Sequence, residues 1–381
     1  MDLWQLNLRH LGAAAAIYRL GSVSAAADAV SLSQPAITQA LGKLEAQLGL
    51  PLFERRPGGM EPTEAARLIT QRVEAALAHI ASPRVTMAQL RALIAFADAG
   101  KYSGASAATG LAPPSLHRSV KDLSVALRRP MTERRGKGLA LTEQGRRTVR
   151  AFRLARAELQ AGLAEIWTLK GREIGRIAIG AMPLSRARLL PAAVVAFHRV
   201  HPEIVISIAE GSRAELLEPL RDGDLDLLIG ALRDPLPGED IEEEPMFEDR
   251  PVILGRKGHP LAGSNPGVRD LARYPWTVAA KGVPLRAQWE RMFTDAQVPV
   301  PEVPVECGSV ITIRQILLDS DFLTLLSPDQ VAVELEANWL DIICDAPEGL
   351  VRSIGVITRA NWRPTALQAA FVAQLKAIAG I

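Results

Sequence analysis

The sequence predicts a multidomain fold: two α-rich units, each a helix-turn-helix with a β-hairpin wing, followed by a two-lobed α/β domain. Three observations predict it. The segment "SLSQPAITQALGKLE" (Ser31–Glu45) returns in altered form as "GLAPPSLHRSVKDLS" (Gly110–Ser124), 79 residues further on. Charge is split along the chain: Met1–Lys170 carries 23 Lys and Arg against 13 Asp and Glu, while Gly171–Ile381 carries 21 against 29. From Gly175 onward, short apolar phrases alternate with amphipathic stretches, the grammar of α/β domains.

Composition sets the bounds. With 381 residues, 48% hydrophobic and 23% charged, the chain is globular and long enough for several domains. Its start has no cationic stretch followed by an apolar core, and the alanine run near Ala13 is interrupted by Tyr18 and Arg19. Cys307 and Cys344 are too few for a disulfide framework. The expectation is a cytoplasmic protein with no membrane partner. A basic half joined to an acidic half suggests a polyanion-binding part fused to something else.

In the first unit, apolar residues from Leu6 to Leu20 recur at helical spacing and Gly21 ends the run. Ser24 is expected to cap a second helix, "AAADAV". A third helix begins at Gln34, with Ser33 as N-cap and Pro35 tolerated in the first turn. Ile37, Leu41, Leu44 and Leu48 face inward. Gln34, Thr38, Gln39 and Lys43 face out, supplying amides and a hydroxyl for base edges and a cation for phosphate. "LPLFERRPGGMEPTEAA" reads as a hairpin turning at Pro57-Gly58-Gly59, which puts Arg55 and Arg56 on a wing. Thr63 caps a further helix through Ala81. The competing reading is an ordinary helical hairpin, which leaves the polar face and basic wing unexplained.

"AAADAVSLSQPAITQALGKLEAQLGLPLFERR" resembles the winged helix-turn-helix of LysR-type transcriptional regulators. The resemblance implies a DNA-binding regulator, not an enzyme, with double-stranded DNA and a small-molecule effector as partners. It also implies a homodimer or homotetramer, with RNA polymerase as a possible further partner.

A slide of 79 residues without a gap matches Gly21 to Gly100, Pro35 to Pro114, "ERR" at Glu54 to "ERR" at Glu133, and Thr63 to Thr142. Such a duplication departs from the family's usual single unit. The copies differ: Pro113 replaces Gln34, Thr132 replaces Phe53 and Arg128 replaces Gly49. The outward face of the second copy is Ser115, His117, Arg118 and Lys121, with Arg134 and Arg135 on its wing. Yet Val85–Lys170 has 15 basic and 6 acidic residues, against 8 and 7 in Met1–Arg84. Two readings follow: a second unit that grips the backbone or reads another sequence, or a spacer with a solvated basic face. A helix continues from Thr142 to Gly171 with a stripe of Val149, Phe152, Ala155, Leu159, Leu163 and Ile166. In the family the corresponding helix pairs with its twin in a dimer; the alternative is packing on the chain's own domains.

The acidic half begins with "RIAIGA", "IVISIAEG" and "DLLIG", separated by helical stretches, and implies a mainly parallel sheet covered on both faces. A second set follows: "WTVAA", "EVPVE", "ITIRQILLD" and "FLTLLS". "SIGVIT" then leads back to a last helix. The order resembles the periplasmic-binding-protein-like effector domain of LysR-type regulators. The resulting boundaries are 1–82 and 83–145 for the two winged units, 146–173 for a linking dimerisation helix and 174–381 for the effector domain. Within the last, one lobe takes 174–256 and 352–381 and the other 257–351.

Ligands of open α/β sheets bind at the carboxyl ends of strands, against helix N-termini. The effector candidates are therefore Met182, Pro183, Leu184 and Ser185, then Ser212, then Ala231 and Leu232, with Gly282, Val283, Ser309 and Thr312 from the other lobe. "SIGVITRANWRPT" resembles sugar-responsive members, which leaves a sugar or a small organic acid as the effector class. No cofactor is expected: P-loop, G-x-S-x-G, H-E-x-x-H and G-x-G-x-x-G patterns are missing. His198 and His201 share a helix face without an evident third ligand, and Cys307 with Cys344 lacks the close spacing of a redox pair. Two further readings stay open, a small-molecule-binding module acting through protein partners and an effector-independent repressor.

Overall fold

The computed structural model describes residues 2–136, 138–233, 238–347 and 349–381. It has two compact units, Met1–Gly175 with Asp222–Asp224, and Arg176–Arg221 with Leu225–Ile381. Among the described residues no helix is long and apolar enough to cross a membrane.

The first unit holds one arrangement twice. Helices α1 (Leu8–Leu20), α2 (Val23–Ala29) and α3 (Gln34–Leu48) precede strands β1 (Phe53–Arg56) and β2 (Gly59–Pro62), and α4 (Glu64–Ile80) follows. Then come α5 (Met87–Ala99), α6 (Tyr102–Thr109), α7 (Pro113–Ala126), β3 (Thr132–Arg135), β4 (Gly138–Leu141) and α8 (Glu143–Leu169). Gly21 and Gly100 end α1 and α5 at the same left-handed φ of 67°, where a Cβ is disfavoured. The two hairpins share one register, Arg55 opposite Met60 and Arg134 opposite Leu139. Lys137, counted in the basic excess of the second repeat, lies outside the described residues.

Some local expectations shift. The N-cap of α2 is Ser22, not Ser24: its backbone is extended and its Oγ accepts from the Ala25 amide at 3.0 Å. The chain leaves the left-handed Gly21 already poised to start a helix, two residues earlier than the alanine run suggests. The first helix starts at Leu8 rather than Leu6, because Asn7 accepts from the Arg9 amide and Leu3–Gln5 form a separate 3₁₀ turn. Where Gly49 takes φ 69°, Arg128 keeps the left-handed turn at φ 54° despite its Cβ.

The stripe on α8 is buried against α4 of the same chain, in one core that runs through both repeats. Gly162 eases the approach, since a Cβ there would lie a tight 3.1 Å from Arg72 and 3.4 Å from Ile69. Within the chain the long helix therefore packs on its own domains.

In the second unit, β5 (Arg176–Ala181), α9 (Leu189–Val200), β6 (Val205–Glu210), α10 (Arg213–Arg221), β7 (Leu227–Ala231) and β8 (Ile241–Asp249) come first. The chain then forms β9 (Val252–Arg256), α11 (Val268–Leu271), β10 (Thr277–Val278), α12 (Pro284–Asp295), β11 (Val305–Glu306), α13 (Val310–Leu318) and β12 (Thr324–Leu326). It closes with α14 (Ala332–Glu336), β13 (Leu340–Asp345), β14 (Arg352–Arg359) and α15 (Ala366–Ala379). A five-stranded sheet has the order β6-β5-β7-β14-β8, parallel among its first three strands. Phe197 of α9 meets Phe371 of α15 edge-on over one face, and Leu216 and Leu220 of α10 cover the other.

The second half is less parallel than expected. Strand β9 lies between β12 and β13, antiparallel to both, beside the short parallel pair β10-β11. Residues 252–256 therefore belong to the second sheet, although the sequence assigned them to the first lobe. "ITIRQILLD", among the apolar phrases of that half, is helical as α13. Ser309 caps it, and Ile313 and Leu317 bury one face at i, i+4.

Candidate nucleic-acid interface and effector loops

On α3 the inward residues Ile37, Leu41, Leu44 and Leu48 are buried, while Ser33, Gln34, Pro35, Thr38, Gln39 and Lys43 are exposed. Ser33 Oγ accepts from the Ala36 amide at 3.4 Å and so caps the helix. Gln34 Nε2 donates to Ser24 Oγ at 3.0 Å, which orients the amide at the helix start. Sequence reasoning missed that partner, having assigned Ser24 to a cap. Thr38 of α3 and Arg55 of the hairpin line one cleft of about 170 Å³, so wing and helix face adjoin. Arg56 is already matched, to Glu54 at 2.6 Å and Glu61 at 3.2 Å.

The second repeat presents Ser115, His117, Arg118 and Lys121 on the exposed face of α7. Ala112 replaces the capping serine and provides no side-chain cap. Asp122 stands where the first repeat has Lys43, and Arg118 reaches it at 3.7 Å. The hairpin differs in the opposite sense. Ala140 replaces Glu61, and among the described residues no ion pair engages Arg134 or Arg135. Thus the second helix face carries its own counter-charge, while its wing holds two exposed guanidiniums. The 79-residue alignment contained both exchanges.

The effector candidates separate by burial. Met182, Leu184 and Ser185 are core residues, Pro183 half-buried between them. A Cβ on Gly230 would fall 2.1 Å from Met182 Cε, which shows how closely Met182 packs on β7. Ser185 is fully buried, its Oγ donating toward the Met182 carbonyl at 3.0 Å and the Ile229 carbonyl at 3.3 Å. It offers no group to solvent, contrary to its expected place on a cleft wall. Ser212 is exposed, but its amide and hydroxyl both donate to Glu215 Oε2 at 2.8 Å. The Ser212 amide and then its hydroxyl hold the Glu215 carboxyl below its ordinary range. The helix N-terminus there is occupied by the chain's own carboxylate. Ala231 and Leu232 are half-buried, and the buried Arg213 donates to the Ala231 carbonyl at 3.4 Å while pairing with Glu243.

From the second sheet, Gly282, Val283, Ser309 and Thr312 are all exposed. Val283 opens α12 without a side-chain cap, and Thr312 Oγ1 donates to Ser309 Oγ at 3.1 Å. The loop after β5 meets the 3₁₀ turn Pro328–Val331, and Arg188 pairs with Glu336. That brings the carboxyl ends of β5 and β12 toward one another. A groove of about 450 Å³ lies elsewhere, lined by Asn265, Met292, Ile342 and Cys344 among others, and holds none of the expected residues. Cys344 is pushed up to about 11 by burial and then by Asp345, so it is a thiol at neutral pH. Cys307 is likewise free and packs in a different core, so the two do not form a disulfide. Among the described residues no group of three His, Cys, Asp or Glu gathers for a metal, around His198 and His201 or elsewhere.

A capped helix with an exposed polar face beside a basic hairpin, joined to an α/β unit with open strand ends, defines a DNA-binding regulator of the helix-turn-helix class. Comparison with known proteins gives the family. The LysR substrate binding domain matches residues 170–379. The bacterial regulatory helix-turn-helix protein of the lysR family matches twice, at 8–67 and 87–146. The chain belongs to the LysR family of transcriptional regulators. It is 28% identical over 374 residues to the HTH-type transcriptional regulator GalR of Pseudomonas putida, covering 95% of this chain and 94% of that protein. It is 29% identical to CbbR of Xanthobacter flavus, over 69% of this chain and 78% of that one. Among solved structures, full-length OxyR from Pseudomonas aeruginosa shares the fold with a TM-score of 0.58 at 21% identity. That match covers 98% of OxyR but 77% of this chain. CbnR shares it at a TM-score of 0.53 and 18% identity, covering 98% of CbnR and 76% of this chain.

Proposed function

We propose that the two repeats are two winged helix-turn-helix units with divided roles on double-stranded DNA. The first reads base edges through Gln34, Thr38, Gln39 and Lys43. The second supplies phosphate contacts, chiefly from Arg134 and Arg135 on its wing. A small metabolite, a sugar or a small organic acid, binds where the two halves of the periplasmic-binding-protein-like domain face each other, with Ser309 and Thr312 on its wall. The regulator acts in the cytoplasm as a homodimer or homotetramer that contacts RNA polymerase. An effector-independent repressor and a module acting through protein partners are the competing readings.

The observation that carries the proposal is the Gln34 amide, exposed at the start of α3 and held by Ser24. A bidentate amide–adenine pair contributes about 1–3 kcal/mol of discrimination. Gln34→Ala should therefore reduce the ratio of specific to competitor binding by about tenfold in gel shifts at fixed salt. An unchanged ratio in a folded variant removes α3 from the reading of bases.

A further inference from the structure

The two repeats are not merely consecutive. Helix α4 and helix α8 begin at equivalent positions, Glu64 and Glu143, under the 79-residue shift, and each follows its own hairpin through a capping threonine. These equivalent helices pack on each other antiparallel. Arg72 in the middle of α4 reaches Glu158 at 3.3 Å and Glu165 at 2.7 Å, and Gly162 lies against Ile69 and Arg72. At the far end of α8, Lys170 Nζ donates to the Leu48 carbonyl at 3.1 Å, beside the start of α4. Moving toward the C-terminus of α4 therefore means moving toward the N-terminus of α8. Counted antiparallel from the Ile69–Gly162 contact, the facing partner becomes a residue's own counterpart near Ala76 and Ala155, both buried.

Two equivalent helices that cross antiparallel at equivalent points are related by an approximate two-fold axis. The units attached to them inherit that axis. Their hairpins join the pair at opposite ends, Thr63 at one and Thr142 at the other. In that register Glu64 lies level with Trp167, and the step of 24 residues along α8 from Glu143 to Trp167 puts the junctions roughly 36 Å apart along the pair. Paired DNA-reading units usually address half-sites about 34–36 Å apart, one duplex turn. The side chains break the symmetry: Gln34 against Pro113, Lys43 against Asp122, Glu61 against Ala140.

We propose that a single chain supplies both halves of a DNA-reading pair, and that its target is an asymmetric duplex with two unlike contact patches about one turn apart. One core shared by both repeats fixes their spacing within the chain, so the pair needs no second copy to form. The proposal rests on the reading that α3 and the hairpins meet DNA.

The test is a hydroxyl-radical footprint of the full chain on a duplex it selects from a randomised library. Bound chains per duplex are counted by light scattering. The expected result is two protected patches per chain, unlike in sequence. An Arg134→Ala/Arg135→Ala variant should lose protection of one patch only and bind about tenfold more weakly. Both residues are exposed, and its melting curve should match the wild type. One patch per chain, or a variant that keeps both patches, overturns the proposal while leaving the first repeat as a DNA reader. Loss of the DNA-reading role itself is distinct: a Gln34→Ala protein that selects the same sequence at the remaining patch.

Discussion

Ser185 and Thr312 were expected to face one cleft from opposite sides, and their surroundings part them. Burial and two carbonyl acceptors commit Ser185 to holding the loop after β5 against β7. Thr312 sits exposed in the first turn of α13, next to an N-cap whose amides are only partly satisfied. A ligand binding the native state at a hundredfold excess over its Kd stabilises it by about 2.7 kcal/mol. Thr312→Trp should abolish that thermal shift for a metabolite that stabilises the wild type, and leave DNA affinity unchanged. Ser185→Trp should instead lower stability without ligand, by about 1–3 kcal/mol or more, because a closed core has no room for it. A retained shift in Thr312→Trp would move the site, with the groove around Asn265 and Met292 next in line.

At the scale of elements, the helix pair is the sharpest case. Arg72 is buried between α4 and α8, where burial lowers its affinity for a proton but its bonds to Glu165 and Glu158 outweigh this and hold it charged. Removing one partner of a buried ion pair leaves the remaining charge without compensation. Arg72→Met should cost about 3 kcal/mol in urea unfolding of the first unit. Adding Glu158→Gln and Glu165→Gln should recover most of that loss, since apolar and neutral groups need no counter-ion. If Arg72→Met matches the wild type, the ion pairs do not hold the pair together. This pairing was only half legible in the sequence. The apolar stripe of α8 was visible from its spacing, but spacing does not name the partner, and the sole local hint was Gly162. The bounds, cap and buried face of α3 were legible, because Ser33, Pro35 and the apolar i, i+3 and i, i+4 spacings are short-range signals, whereas the Gln34–Ser24 contact was not. α2 and α13 were less so: either of two nearby serines could cap α2, and the β-branched "ITIRQILLD" suits strand and helix alike. Arg128 shows the limit from the other side, as tertiary packing keeps a left-handed turn after its glycine has gone.

Across the whole molecule, the basic charge has a definite owner. The second repeat and the helix that follows it hold most of the excess, and the first wing spends Arg56 on its own glutamates. Affinity for any duplex should therefore come largely from the second repeat, and sequence preference from the first. Each phosphate contact releases about one condensed counter-ion and steepens the log–log salt slope by about 0.9. Replacing Arg118, Lys121, Arg134 and Arg135 by alanine should weaken binding to all sequences and flatten the slope by about two to four units. Arg118 already shares its charge with Asp122, so the lower end of that range is expected if the wing dominates. The acidic α/β unit, with 21 basic against 29 acidic residues over Gly171–Ile381, should add repulsion rather than affinity, most strongly at low salt. A quadruple variant with wild-type affinity and slope would make the second repeat a spacer. The duplicated core would then serve only to hold α4, and the first repeat alone would carry the chain to DNA.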